Sequence, residues 1–128
     1  MKILLIAMAV VEAAAGAAFL LIPAIAFSSL LSVPLDTPGG LVAARIAGAA
    51  IIGLAVACWR ARNSAKGGAA SGIVAAMLFY NIAAALIIVW AGLRLGIQSP
   101  VMWPAMVAHA ALGSWCFTVL WLEKRRAA

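Results

Sequence analysis

Four long apolar runs in this chain each carry one strongly polar side chain: Glu12, Arg45, Asn81 and His109. A carboxyl, a guanidinium, an amide and an imidazole together supply hydrogen-bond donors, acceptors and exchangeable protons. Such a set can hold the polar head of a lipophilic molecule, or it can fix helices in register. Tyr80 stands next to Asn81. On a helix it points about 100° away from Asn81, so it lines the same cavity or faces lipid.

Other chemistries lack their residues. Haem held by two imidazoles needs two histidines, and the chain has one. One Glu with one His is a thin metal-ligand set. A Ser/His/Asp arrangement fails because the lone aspartate, Asp36, lies in a turn-rich loop. No Gly-rich phosphate loop occurs. The two cysteines, Cys58 and Cys116, are far apart and form no Cys-x-x-Cys motif, so neither a redox dithiol nor a zinc knuckle is expected. Both fall in the half of their helices expected to face the cytoplasm, where a disulfide is not expected.

The polar residues need a scaffold, and composition dictates which. Of 128 residues, 68% are hydrophobic and 9% charged. A soluble domain carries about 25% charged residues, so a water-facing surface cannot be assembled here. The apolar side chains must face hydrocarbon, and a span needs about 20 apolar residues. Four runs qualify, at about 3–22, 41–59, 69–93 and 101–122. Within lipid every backbone polar group must be bonded inside its own span, so each run is a helix. The expected fold is all-α, one integral membrane antiparallel four-helix bundle, because short loops make consecutive helices neighbours.

Pro23 stops the first run. The apolar piece from Ala24 to Val33 is too short to span and is expected to lie at the interface or to close the first helix with a kink. Pro34 to Gly40 is dense in turn residues, and Asp36 or Thr37 is placed to cap a helix with Pro38 in its first turn. Met1-Lys2 and Ala13-Ala14-Ala15 resemble a signal peptide, but the apolar run continues to Ile22, so retention of this segment is expected.

The formal charge is +6. The basic residues stand in short groups between apolar runs, which suits membrane orientation and not a nucleic-acid interface. With the N-terminus inside, Lys2, Arg60, Arg62, Lys66, Lys124, Arg125 and Arg126 are cytoplasmic, and Arg45 and Arg94 lie toward the other side. That bias predicts both termini in the cytoplasm. Trp59, Trp90, Trp103 and Trp121 fall near span ends, where indoles prefer to sit.

Helix rise converts position into depth. From the cytoplasmic face Glu12 lies at ~14 Å, Asn81 and His109 at ~18 Å, and Arg45 at ~24 Å with a side chain able to reach inward. All four are expected in one layer, because a lone charge at the bilayer centre costs about 2.5–3.5 kcal/mol. Glu12 lowers that cost by pairing with Arg45, by hydrogen bonding to Asn81 or His109, or by taking up a proton. Alternatively Arg45 snorkels outward as an interfacial anchor. Small-residue ladders run through Ala9, Ala13 and Ala17, through Ala44 and Gly48, through Ala49 and Gly53, and through Gly72 and Ala76. They favour close helix approach without locating it.

The stretch from Glu12-x-x-x-Gly16 to Pro23, then Pro34-Leu35, then Ala44-Arg45-x-x-Gly48 to Gly53-Leu54, resembles the DoxX-like group of small four-helix bacterial membrane proteins. The resemblance covers roughly the first 60 residues. It implies a bundle in a bacterial inner membrane that binds a quinone or another lipophilic molecule, or sits beside a partner complex. It assigns no activity to Glu12 or Arg45. Met8-Ala9-Val10-Val11-Glu12 is also similar to the first helix of small multidrug transporters, but Arg45 would be out of place there.

The leading expectation is a lipophilic-ligand or quinone site lined by Glu12, Arg45, Asn81, His109 and Tyr80, more a binding protein than an enzyme. A non-catalytic accessory subunit of a larger membrane complex and a proton-coupled exporter acting as a homodimer are the alternatives.

Overall fold

The structure is a computed structural model describing residues 1–64 and 68–127. Lys66, counted above among the cytoplasmic charges, lies outside the described residues. Five helices occur among them: α1 (Lys2–Leu21), α2 (Pro23–Leu31), α3 (Pro38–Ala61), α4 (Ala69–Arg94) and α5 (Met102–Ala127). All but α2 are long and apolar enough to cross a membrane, with mean hydropathies of 2.3, 2.2, 2.4 and 1.5. The protein is an all-α bundle of membrane-spanning helices.

Local chemistry sets the breaks. Ile22, before Pro23, leaves helical geometry at φ −129° and ψ 54°, because the pyrrolidine ring crowds a helical residue ahead of it. Pro23 then opens α2, where its missing N–H costs nothing. At α3 the cap is Thr37, whose Oγ1 accepts the Gly40 N–H at 3.1 Å. Gly68 (φ 62°) precedes α4 and Gly96 (φ 66°) follows it, both in backbone that favours glycine. α5 runs on past Leu122 through Lys124, Arg125 and Arg126, cations that a helix C-terminus favours. At that same end Arg62 lies over the Trp59 ring and Arg125 over the Trp121 ring, each 3.7 Å from the centroid.

α1 packs closely on α3, and α4 on α5. Contacts of α3 with α4 and of α1 with α5 join these pairs, so α1 faces α4 and α3 faces α5 across the bundle. Gly16 and Gly48 fix the first pair. A Cβ at Gly48 would lie 2.6 Å from the Leu20 nitrogen and 2.8 Å from the Gly16 carbonyl oxygen. Of the possible ladders, only Ala44 with Gly48 is buried at both positions; Ala49 with Gly53, and Gly72 with Ala76, face outward. The core fills the half of the bundle nearest both termini: Leu4, Leu5, Met8, Cys58, Val74, Met77 and Cys116 are fully buried there. Outward faces carry large apolar groups such as Phe79, 77% exposed, which fits hydrocarbon and not water.

α2 caps the opposite end, touching α1, α3 and α5. Ser99, in the α4–α5 connection, donates from Oγ to the Ser29 carbonyl at 2.9 Å and ties α2 down. Ser99→Ala should weaken this closure by about 0.5–1.5 kcal/mol. Hydrogen exchange in detergent should then speed up in α2 while the amides near Val74 and Met77 stay protected.

Candidate functional site

On α1 the buried positions Met8, Ala9, Glu12 and Gly16 follow helical spacing and form one stripe. Gly16 presses against α3, which fixes the rotation of α1 and turns Glu12 inward. Glu12 is 1% exposed and Asn81 0%. Among the described residues, Glu12 Oε1 is a buried side-chain oxygen with no hydrogen-bond partner. The Tyr80 hydroxyl approaches the Glu12 carboxyl from α4, across the bundle.

Tyr80 continues the cluster to α5. Its ring meets the His109 ring edge-on, with centroids 5.7 Å apart and planes at 81°. His109 Nδ1 lies 2.9 Å from Asn81 Oδ1. Asn81 Nδ2 donates to the Met77 carbonyl at 2.8 Å, which orients the amide. Oδ1 is therefore the acceptor, so His109 Nδ1 carries the proton, and Nε2 of the neutral ring remains an acceptor. Gly113 of α5 packs beside this contact: a Cβ there would meet the Asn81 Cβ at 3.6 Å, an ordinary van der Waals distance.

Glu12, Tyr80, Asn81 and His109 thus occupy one connected layer drawn from α1, α4 and α5. Arg45 does not join it. The expectation that Arg45 joins this layer, as one of the partners open to Glu12, is corrected: Arg45 is exposed, as in the outward-snorkelling alternative. The reason is rotational. Ala44 and Gly48 face α1, and the next residue lies about 100° further round, so Arg45 points out of the bundle. Near the end of its span, a guanidinium on a long stem reaches the interface.

A cavity lined by the whole polar set was also expected. A lateral groove of about 430 Å³ does run between α1 and α3, lined by Ala9, Val10, Ala13, Ile52, Ala55, Val56 and Trp59. It is apolar and excludes the cluster. Among the described residues no three His, Cys, Asp or Glu side chains are placed to hold a metal ion. Sequence reasoning set Cys58 and Cys116 aside for their separation, yet both are fully buried in one core. Helical spacing carries the signal: Ala55 with Cys58, and Gly113 with Cys116, are buried pairs three residues apart.

Asn81→Leu should leave His109 without its partner and cost about 0.6–2 kcal/mol, the range for interhelical hydrogen bonds in bilayers. Unfolding in mixed micelles checks this. His109→Leu in the same chain should recover part of the loss, because no orphaned ring nitrogen then remains.

No protein-family model matches this chain, and no curated protein or solved structure is detectably similar to it.

Proposed function

We propose that this is a bacterial inner-membrane protein, with both termini cytoplasmic, that binds a small lipophilic ligand at the Glu12–Tyr80–Asn81–His109 cluster. The observation carrying this reading is the unpartnered Glu12 Oε1. A buried acceptor left unmade costs about 1–3 kcal/mol, and native structures leave few of them. A carboxyl kept only to fix register would be expected to use both oxygens. The ligand class follows: its head group donates a hydrogen bond to Glu12, as a hydroxyl, an amine or a quinol does. A quinone presents carbonyls instead and would need a donor from the cluster, with Tyr80 the nearest candidate by chemistry.

Purification from native membranes in mild detergent, followed by mass spectrometry of co-purifying lipids and proteins, tests this. A defined lipophilic molecule should accompany the wild-type protein and be depleted in Glu12→Gln. Recovery of a large complex with no such molecule would favour the accessory-subunit reading instead. The exporter reading gains from Arg45, which is exposed and not turned in toward Glu12. It requires substrate flux in vesicles that follows the proton gradient and stops in Glu12→Gln.

A further inference from the structure

Met8, Cys58, Met77 and Cys116 come from the four spanning helices α1, α3, α4 and α5, and each is 0% exposed in a single core cluster. Contacts described above set their heights. Gly113 meets Asn81 between α5 and α4. Moving toward the termini, Cys116 lies ~4.5 Å beyond Gly113 and Met77 ~6 Å beyond Asn81. Between α1 and α3, a Cβ on Gly16 would fall 2.8 Å from the Gly48 oxygen and 2.9 Å from the Ile52 nitrogen. Met8 lies ~12 Å beyond Gly16, and Cys58 ~9 Å beyond Ile52 and ~15 Å beyond Gly48, which centres on the same level. Tyr80 and Glu12 join the two pairs: Met77 and Met8 lie ~4.5 Å and ~6 Å beyond them. By helix rise the four residues therefore share one layer, about one turn from the polar cluster. The two thioethers occupy one diagonal of the bundle and the two thiols the other. Cys58 and Cys116 are free thiols, both buried in the same core cluster.

Hydrophobic cores use Met and Cys as fillers, but filling does not require one sulfur from every helix at one height. Soft thiolate and thioether ligands select Cu(I) over harder divalent ions. We propose that this four-sulfur layer binds a soft monovalent metal ion, Cu(I), through the Cys58 and Cys116 sulfurs with Met8 and Met77 completing the set. Each thiol exchanges its S–H bond for an S–Cu bond and releases a proton to water, and no electron is transferred. Met1 packs against the same cluster at the terminal end and offers a further thioether on the way in.

The test uses the full chain, reduced, in mild detergent under nitrogen. Cu(I) is titrated in competition with a chromophoric Cu(I) chelator. The wild-type protein should withdraw a single Cu(I) per chain, with X-ray absorption at the copper edge reporting sulfur ligands alone. The Cys58→Ala/Cys116→Ala variant should lose this uptake. The Met8→Leu/Met77→Leu variant conserves core volume, so it should fold and bind more weakly by about tenfold or more. No withdrawal of Cu(I) by the wild type, nitrogen or oxygen ligands at the copper edge, or unchanged affinity in the methionine variant would each overturn the proposal. The spectrum and the methionine variant decide even if the cysteine variant fails to fold.

Discussion

Gly48→Leu should prevent the bundle from assembling. A side chain there meets backbone atoms: the Leu20 nitrogen at 2.6 Å, the Gly16 oxygen at 2.8 Å and the Phe19 carbonyl carbon at 2.9 Å. Backbone inside two packed helices cannot swing aside as a flexible side chain can, so α1 and α3 must separate. Overpacking of this kind costs about 1–3 kcal/mol where neighbours can relax, and more where they cannot. In lipid no hydrophobic drive restores the pair, because close approach is itself the main attraction. The consequence extends to the site, since the Gly16–Gly48 contact sets the rotation that buries Glu12. Gly53→Leu is the matched control: that glycine faces outward with nothing within 4 Å. Its effect should stay within about 0.5 kcal/mol. The yield of monodisperse protein and its unfolding midpoint in detergent read both. Equal behaviour of the two variants would remove Gly48 from the interface.

Glu12→Gln should fold and lose its ligand. Glutamine keeps the shape of the side chain but puts a donor NH₂ beside the single carbonyl oxygen. A head group that donates to Glu12 then loses its acceptor or meets another donor. A buried donor left unmet costs about 1–3 kcal/mol, so affinity should fall roughly five- to hundred-fold. Arg45→Gln should leave binding unchanged, because that side chain faces outward. The contrast separates a specific site from a general need for polar residues in the span. Binding of the co-purified ligand, re-added to delipidated protein, measures both. Parallel losses in the two variants would restore Arg45 to the site.

The spans were legible in the sequence because length and hydropathy are one-dimensional properties. Pro23 and Thr37-Pro38 marked breaks whose cause is local, so they needed no tertiary information. The end of α5 was less visible: charge marks where lipid stops, but a helix ending in Lys124, Arg125 and Arg126 is favoured to continue into water. Depth placed Glu12, Asn81 and His109 near one level. Rotation was harder. Ala44 with Gly48 and Ala49 with Gly53 offered α3 two small-residue faces, and only contact with Gly16 selects the first. That choice sends Arg45 outward. Tyr80 had two possible faces for the same reason, and its role depends on Glu12 standing opposite on α1. The sulfur layer was invisible because each of its members is unremarkable alone and is aligned only by helix register.

The central claim is that Glu12 carries a carboxyl oxygen held free of protein partners for an incoming donor. Infrared difference spectroscopy on protein labelled with ¹³C at glutamate side-chain carboxyls reads that oxygen directly. The chain has two glutamates, Glu12 and Glu123, so the spectrum of labelled Glu12→Gln identifies the Glu12 band. Adding the co-purified ligand to delipidated wild-type protein should shift that band and leave the Glu123 band in place. A bound ligand that leaves the Glu12 band unmoved would contradict the account.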